Sequence, residues 1–475
     1  MTGWLVLAAA AVVGAGLLLI RRGGLSRRLR RTGGTVGLAS RAAARWVAHR
    51  VQAVGQEAAE RERLHTMFHM RTAEDVAATM GAMKGAMMKL AQMMSYVDSG
   101  LPPAYQQVLA QLQENAPPMT YALAAGVIRD ELGKSPEDAF AWFDPEPLAA
   151  ASIGQVHAAR TRDGRAVVVK VQYPGAADAM RADLDNVDLL YRVLSPMFPN
   201  LDPKPLIGEL RDRLQEEIDY RIELRNQQRF LALYRGHPFI RIPEVLPELC
   251  GRRALTMEHI EGLSWRDAVQ APADIRQLWG EVVYRFVFGT FYRDGLFNGD
   301  PHPGNYRFFA DGRVAFLDFG CVKTFTAAEL SDVKSVVLTA IGGDAVQLRS
   351  ELVRQGFLAA DDATEPALLL EWFQIFYRGA LNREPFTFSR EFAETAVRAN
   401  IDPTSEWAPL QKRFNMPPSY VLLTRINLGL LSILGGLQAT QVWRNIAEEF
   451  WHDAPPATAL GELDRAFRAG RRRDG

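Results

Sequence analysis

The feature that most constrains this chain is a DPHPGN loop (300–305) followed by a DFG tripeptide (318–320). Phosphoryl transfer needs a carboxylate that can accept a hydroxyl proton, and it needs an amide and a second carboxylate that can hold magnesium against phosphates. The two motifs contain these groups as Asp300, Asn305 and Asp318. A fold that uses both motifs must therefore bring these three side chains to one site.

The spacing of these residues decides between a catalytic and a structural interpretation. An Asp in a loop rich in Pro and Gly is often only a turn former, and a DFG tripeptide can occur by chance. Here the Asp stands five residues before the Asn, as in the catalytic loop of protein kinases, and a strand-like pair, YRFF (306–309) and VAFLDF (314–319), separates the motifs. We therefore predict Asp300 as the catalytic carboxylate and Asn305 and Asp318 as magnesium ligands.

A lysine and a glutamate with kinase-like roles are also present. The β-branched run AVVVKVQY (166–173) predicts the second strand of a hairpin and carries Lys170, which can reach the α and β phosphates of a nucleotide. Its ammonium needs a carboxylate to hold it, and the acidic helix EEIDYRIELRNQ (216–227) offers several. A solvated charged face explains any single acid there, but together with Lys170 the pattern favours Glu223 as the partner.

A later strand predicts the hinge that would meet adenine. We expect backbone groups of Met257 and Glu258 to contact the base. Ordinary core packing is an equally good explanation of Met257.

The order of the predicted elements indicates an α+β, protein-kinase-like bilobal fold, with a small mixed lobe before a large helical lobe. The apolar helix at 420–437 is predicted to pack in the core of the large lobe, and the AGRRRDG end (469–475) is expected to fray. The predicted segments are a membrane anchor at 1–22, a basic flank with a helical extension at 23–134, an N-terminal lobe at 135–263, a C-terminal lobe at 264–455 and a tail at 456–475.

The N-terminus predicts a retained membrane anchor. Residues 4–20 carry no charge, and 17 residues of helix would be about 26 Å long, close to the bilayer core. Nine arginines and no acidic residue follow between positions 21 and 50, which by the positive-inside rule places that side in the cytoplasm. We expect a single-pass protein of the cell inner (cytoplasmic) membrane with its kinase-like part in the cytoplasm. The alternative is a hydrophobic helix buried in a protein partner.

The balance of charged residues limits the possible partners of the chain. The 475 residues include 55 basic and 55 acidic side chains, so no global field draws the protein to nucleic acid, and we expect none as a partner. The arginine-rich flank instead suits anionic lipid headgroups.

Several motifs in order resemble the UbiB family of atypical, protein-kinase-like proteins. They are PLAAASIGQVHAA (147–159), VVVKVQYPG (167–175), the EIDYRIE segment, DPHPGN and LDFG, together with the segment at 85–118. The resemblance runs from about residue 70 to about residue 440 and includes a KxGQ-type N-terminal extension.

The resemblance implies specific roles for further residues. An alanine-rich loop replaces the glycine-rich loop over the nucleotide, and its residues here are Ala149, Ala150, Ala151, Ser152, Ile153 and Gly154. Lys89 and Gln92 correspond to the regulatory KxGQ helix, whose Lys points at the acids Glu217 and Asp219, although Ala91 replaces the family Gly. The resemblance implies altered nucleotide selectivity and suppressed activity on peptides.

The sequence after the DFG motif also argues against a peptide substrate. Only CVKTF separates Gly320 from a capping box at Thr326 and Glu329, and no APE motif follows. No room remains for a long activation segment.

These observations predict a membrane-associated atypical kinase or ATPase that binds ATP or ADP with Mg²⁺. The resemblance implies support of ubiquinone or related prenyl-lipid biosynthesis, with a prenylated quinone precursor or quinone-biosynthesis enzymes as partners. Two alternatives stay open, a small-molecule or lipid phosphotransferase and a nucleotide-gated, non-catalytic scaffold.

Overall fold

The structure is a computed structural model that describes residues 119–151, 153–177, 215–401, 405–411, 413–415 and 418–474. The predicted anchor, its basic flank, Lys89, Gln92 and Ser152 lie outside the described residues. Within the described ranges, no helix combines the length and the apolar character that crossing a bilayer requires.

The N-terminal part is built on a four-stranded antiparallel sheet in the order β1-β2-β3-β5. Its strands are β1 (Trp142–Ala151), β2 (Gly154–Arg160), β3 (Ala166–Gln172) and β5 (Ala254–Glu258). β1 is an edge strand, which tolerates Pro145 and Pro147 because a proline cannot donate to a neighbouring strand. The predicted hairpin with Lys170 on its second strand is confirmed by the β2–β3 pairing.

One face of the sheet is covered by α1 (Tyr121–Leu132) and the short α2 (Pro136–Ala139). The alternation of β3 directs Val167, Val169 and Val171 to this face, where all three are at most 1% exposed. α1 contributes Val127 and Ile128, and each fully buried aliphatic side chain of this size stabilises the fold by about 1.5–3 kcal/mol.

The opposite face of the sheet packs against α3 (Tyr220–Tyr234). Asp219 caps the helix, because its side chain accepts a hydrogen bond from the backbone N–H of Arg221 at 3.1 Å. Tyr220 contacts Leu255 and Met257 of β5 in a small buried cluster.

The remaining part is mainly helical. Its helices are α4 (Trp265–Ala268), α5 (Ala273–Tyr284), α6 (Thr290–Asp294), α7 (Ala327–Gly342), α8 (Ala345–Arg354), α9 (Pro366–Phe376), α10 (Arg378–Leu381), α11 (Arg390–Ile401), α12 (Ala408–Gln411), α13 (Pro418–Leu437), α14 (Trp443–Trp451) and α15 (Ala459–Asp474). A π-helical segment, Arg285–Gly289, joins α5 to α6. The α+β order of elements predicted from the sequence is confirmed.

Two predictions on the helical part have opposite outcomes. α13 packs in the core as predicted, since Leu430, Ile433 and Leu434 are at most 2% exposed. The expectation of a frayed end was wrong, because α15 continues to Asp474 and its Arg471 bonds to another helix.

Short strands form the frame around the two sequence motifs. They are β4 (Ile240–Arg241), β6 (Leu296–Asn298), β7 (Tyr306–Phe308), β8 (Val314–Phe316) and β9 (Val322–Thr324). β7 and β8 form the hairpin predicted between the motifs, β4 pairs with β8 in parallel, and β6 pairs with β9. A further two-stranded pair joins β10 (Phe386–Thr387) to β11 (Thr440–Gln441). The pairing of these strands places the DFG tripeptide next to the DPHPGN loop.

Candidate functional site

The site centres on the ammonium of Lys170, which lies between two carboxylates. Its Nζ donates to Glu223 Oε1 at 2.7 Å and to Asp318 Oδ2 at 3.1 Å. Lys170 lies on the sheet face opposite Val169 and Val171, because successive strand residues point to opposite faces. Three residues that are far apart in sequence, and that were predicted as site residues, therefore meet.

α3 delivers the glutamate. Glu223 lies in the first turn of the helix and is 4% exposed. The ring of Tyr220, one turn earlier, has its centroid 5.5 Å from Lys170 Nζ. A cation near an aromatic face is attracted by the ring quadrupole, so this ring also helps to hold the ammonium.

The DFG tripeptide is fixed by its backbone and by its central phenylalanine. Asp318 Oδ1 accepts a hydrogen bond from the backbone N–H of Gly320 at 2.9 Å, which leaves Oδ2 directed at Lys170. The ring of Phe319 is fully buried against Phe230 of α3, with centroids 4.8 Å apart. Asn226, also on α3, donates to the carbonyl of Phe319 at 3.1 Å. The position of Asp318 is thus coupled to the helix that carries Glu223.

The DPHPGN loop is tied to the same tripeptide. Asn298 donates to the carbonyl of Asp318 at 2.8 Å and accepts from the backbone N–H of Asp300 at 3.1 Å. Asn305 Nδ2 donates to Asp300 Oδ2 at 3.1 Å, so the predicted catalytic carboxylate and the predicted metal ligand touch. His302 shapes the loop by accepting a hydrogen bond from the backbone N–H of Gly304 at 3.0 Å.

The charges of the site act on one another. Burial opposes the charged form of Lys170, but Asp318 and Glu223 outweigh it and raise the lysine pKa well above its usual value. Burial also raises the pKa of Glu223 to about 7; Lys170 opposes this shift and the charge of Asp318 adds to it. One ammonium is shared by two carboxylates, so it only partly offsets the effect of burial on Glu223.

We expect this glutamate to make stability pH-dependent in protein without nucleotide or metal. Its pKa is about 7 in the native state and near 4.5 when unfolded, so the native state takes up a proton first as the pH falls. As the pH falls from about 7 to about 5, the free energy of unfolding of the wild type should therefore increase relative to that of Glu223→Gln by up to about 1.4 kcal/mol per pH unit. Urea unfolding of both proteins across this range measures the difference. A difference that does not change with pH contradicts the assignment.

The alanines of the predicted alanine-rich loop are strand residues. Ala149, Ala150 and Ala151 belong to β1 and pair with residues of β2, the last of them with Gly154. Gly154 is required by close approach, because a Cβ built there would lie 2.1 Å from the carbonyl oxygen of Val171 on β3. The glycine therefore lets β2 and β3 meet next to Lys170.

We expect Gly154→Ala to destabilise the protein by about 1–3 kcal/mol, because the added methyl group must displace backbone. Gly126→Ala is the matched control, since a Cβ there meets nothing within 4 Å. That change lies inside α1 and should stabilise by about 0.5–1 kcal/mol. The midpoint temperatures of thermal unfolding of the two variants should shift in opposite directions from that of the wild type, and equal shifts would contradict the packing assignment.

The predicted hinge residues are placed at the end of β5. Met257 is 4% exposed and pairs with Val168, while its sulfur lies 3.7 Å from Gln227 Nε2. The backbone N–H of Glu258 donates to the carbonyl of Glu244 at 2.7 Å, and its carboxylate accepts from Arg241. A nucleotide contact by Glu258 would therefore use its carbonyl oxygen.

The acids expected to receive the regulatory lysine lie just before α3. Asp219 caps that helix and forms an ion pair with Arg221 at 2.6 Å. The carbonyl of Glu217 accepts from Gln172 Nε2 of β3 at 3.1 Å. Their relation to Lys89 stays a prediction.

Three residues of the site were missed in the sequence. Asn298, Asn226 and Tyr220 hold the DPHPGN loop, the DFG backbone and the ammonium in place. A signal existed for Asn298, since a polar residue ends the apolar strand two positions before Asp300. Asn226 and Tyr220 looked like ordinary helix residues.

The donor set matches the chemistry of Mg²⁺. This hard cation prefers carboxylate and carbonyl oxygens and usually takes only one or two carboxylates, completing its shell with phosphates and water. Asp318 supplies a carboxylate whose side chain is 28% exposed, and Asn305 supplies an amide oxygen beside Asp300. The residues present therefore suit a magnesium ion bound together with a phosphorylated ligand.

Comparison with known proteins places this geometry in a family. The family model described as the ABC1 atypical kinase-like domain matches residues 111–352. The rat protein named atypical kinase COQ8B, mitochondrial, is 32% identical over 274 residues, which cover 57% of this chain and 52% of the rat protein. The Arabidopsis thaliana protein ACTIVITY OF BC1 COMPLEX KINASE 1, chloroplastic, is 33% identical over 276 residues, covering 55% of this chain and 39% of the relative.

A solved structure is similar over a larger share of the chain. The Mycobacterium tuberculosis protein Rv3197, solved in complex with erythromycin, matches with a TM-score of 0.59 at 27% identity and covers 82% of this chain and 98% of that protein. The match spans about half the length of the curated relatives. The motifs, the kinase-like α+β fold and the family match agree, and the chain therefore belongs to the ABC1 atypical kinase-like proteins, the UbiB family that its motifs resemble.

Proposed function

We propose that this chain is a membrane-associated atypical kinase or ATPase that binds Mg-nucleotide and supports ubiquinone or related prenyl-lipid biosynthesis. The observation that carries the proposal is the assembled charge cluster in which Lys170 bridges Glu223 and Asp318. Kinases need both contacts, lysine to glutamate and a DFG aspartate near the phosphates, for phosphoryl transfer.

Each residue then has a defined task. Lys170 binds the α and β phosphates of ATP or ADP, and Glu223 holds its ammonium in place. Asn305 and Asp318 hold Mg²⁺, which neutralises charge on the phosphates. Asp300 accepts the proton of the attacking hydroxyl or water, and its contact with Asn305 keeps it next to the metal ligand.

The hairpin of β1 and β2 supports a restricted nucleotide site. Residues 149–151 are strand residues paired to β2, whereas a glycine-rich loop would let its backbone approach phosphate freely. We propose that Ala149 to Gly154, together with Met257 and Glu258, line the nucleotide site.

The segment after the DFG tripeptide supports a non-peptide acceptor. Between Gly320 and α7 there is only β9 and a short turn, and the predicted capping box of Thr326 and Glu329 is confirmed. The chain has no long activation segment there on which a peptide could dock. Water or a lipid-soluble phenol is the acceptor class that we propose.

The proposed location and partners follow from the N-terminal sequence. The uncharged run at 4–20 and the arginines after it support a single span in the cell inner membrane with the kinase-like part in the cytoplasm. A prenylated quinone precursor, quinone-biosynthesis enzymes and anionic lipids are then within reach.

The test is nucleotide turnover by the full chain in liposomes, with and without anionic lipid and a prenylated phenol. Magnesium-dependent release of inorganic phosphate that rises with lipid supports the ATPase. A phosphorylated phenol or other small molecule would identify a phosphotransferase. Binding without turnover, combined with complementation of a deletion strain by Asp300→Asn, would replace the proposal by the scaffold.

A further inference from the structure

The last helix of the chain joins the two elements that carry the catalytic side chains. α15, which we call the C-terminal strap (Ala459–Asp474), contacts the end of α3 and also contacts α6. α3 carries Glu223, and α6 leads through β6 into the DPHPGN loop. A helix at the end of the chain thus reaches both halves of the proposed site.

The first contact is at the C-terminus of α3. Arg471 Nη1 donates to the carbonyl of Leu233 at 2.6 Å. The last carbonyls of a helix lack partners within the helix and carry partial negative charge, so an arginine there both satisfies a carbonyl and complements the helix dipole.

The second contact is a buried hydrogen bond just beyond α3. His237 Nε2 lies 3.2 Å from Asp464 Oδ1 of the strap, and both residues are at most 8% exposed. The other ring nitrogen, Nδ1, accepts from the backbone N–H of Ile240 at 3.1 Å, so Nε2 carries the proton and donates it to Asp464. Phe467 packs edge-on against the same imidazole, with ring centroids 4.6 Å apart.

The third contact reaches the other half of the site. Asp464 also accepts from Arg293 of α6 and, at 3.0 Å, from Arg468 of the strap. Arg468 in turn lies 3.5 Å from Asp294, the last residue of α6. One buried carboxylate therefore holds together the strap, the segment just after α3 and the helix before the DPHPGN loop.

The strap residues that make these contacts share one face. Asp464, Phe467, Arg468 and Arg471 follow the i, i+3, i+4, i+7 spacing of a single helical stripe. The N-terminal end of α3 is fixed separately by the Asp219 cap and by the N–H of Tyr220, which donates to the carbonyl of Arg252 at 2.9 Å. A rotation of α3 that carried Glu223 away from Lys170 would therefore have to break contacts at both ends of the helix.

We propose that the C-terminal strap positions α3, and that Arg471 and Asp464 are positioning residues for the Lys170–Glu223 pair. The helix transmits the constraint over the ten residues from Leu233 to Glu223, a distance of about 15 Å at 1.5 Å per residue. This inference rests on the proposed function only for its effect on nucleotide, because the contacts themselves require no ligand.

Arg471→Ala in the full chain tests the strap. Arg471 is exposed, so its truncation should leave the protein folded, and Arg471→Lys keeps a donor for the helix end. Arg465→Ala is the matched control on the same helix, because Arg465 donates to the carbonyl of Ala454 and forms no hydrogen bond or ion pair with α3 among the described residues. Two quantities are measured, amide hydrogen exchange of α3 and the Kd of a fluorescent ADP with Mg²⁺.

Arg471→Ala should speed amide exchange in the last turns of α3 by about tenfold, whereas Arg471→Lys should restore most protection and Arg465→Ala should change nothing. It should also weaken nucleotide binding by about three- to tenfold, but not further when Glu223→Gln is already present, because coupled residues are non-additive. Equal rates of amide exchange in Arg471→Ala and Arg465→Ala, or fully additive losses of affinity in Arg471→Ala and Glu223→Gln, would overturn the proposed role of the strap. If the wild type binds no nucleotide, the proposed function fails, while the exchange comparison still decides the strap.

Discussion

Replacing Asp318 with Asn is expected to abolish magnesium-dependent turnover and to weaken Mg-nucleotide binding. The side-chain oxygen of Asn can still accept from the N–H of Gly320, so the DFG backbone should keep its shape. The charge proposed to hold the metal is lost, and with it several kcal/mol of stabilisation, which corresponds to a fall of about a thousandfold in rate. Phosphate release and nucleotide affinity, each with Mg²⁺ and with EDTA, measure the two effects.

Asp311→Asn is the control for this change. Asp311 lies in the turn between β7 and β8, close in sequence, and forms an exposed ion pair with Arg313. The Asp311→Asn substitution removes the same charge without touching the site. Turnover should therefore stay within about twofold of the wild type, since exposed ion pairs contribute little. Equal activity in Asp318→Asn and Asp311→Asn would contradict the metal assignment.

Asp300→Asn is expected to separate catalysis from binding. Asn cannot take a proton, and a positioned general base contributes about 10²- to 10⁴-fold to rate, so turnover should fall by that factor. Asn305 can still donate to a side-chain oxygen at position 300, and the predicted magnesium ligands are intact. The Kd for Mg-nucleotide should therefore change by less than about threefold, a small fraction of the expected rate loss.

Rapid-quench measurement of γ-phosphate cleavage at saturating nucleotide distinguishes these effects, with Asp311→Asn again as the control. A variant that loses affinity and turnover in equal proportion would show that Asp300 supports the loop and does not act on the acceptor. Unchanged turnover would remove Asp300 from the chemistry.

The parts of the site that could be predicted from the sequence are those that chemistry ties to spacing. The DPHPGN loop, the DFG tripeptide and Lys170 each require particular residue types at particular intervals, and the structure brings them together. The sequence offered several acids at 216–227 as partners of Lys170 and favoured Glu223, and the structure places Glu223 on the helix face that turns towards the sheet.

The supporting contacts could not be predicted in the same way. Asn226 acts through one hydrogen bond to a backbone carbonyl, and such a bond imposes no pattern on the sequence. Asn298 bonds to the backbone of Asp318 and of Asp300, and the sequence marks it only weakly, as a polar residue at the end of an apolar strand. The resemblance implied a loop at 149–154, but pairing with β2 makes Ala149, Ala150 and Ala151 strand residues, and alanine alone has no strong strand preference that would have indicated this.

The end of the chain shows a similar limit. A run of arginines and glycines favours fraying when it is considered alone. In the structure, Arg471 meets the carbonyl of Leu233 and Asp464 meets a buried histidine, and these long-range contacts order the helix. Tertiary contacts of this kind are invisible to local composition.

The most direct test of the proposed site is to locate the phosphates of a bound nucleotide relative to Lys170. An acyl-phosphate derivative of ATP transfers its acyl group to a lysine beside the phosphates, and peptide mass spectrometry identifies the labelled residue. Lys170 is the lysine that the account predicts, with labelling that excess Mg-ATP suppresses and that Asp318→Asn strongly reduces. Labelling confined to other lysines, or labelling of Lys170 that excess Mg-ATP leaves unchanged, would contradict the account.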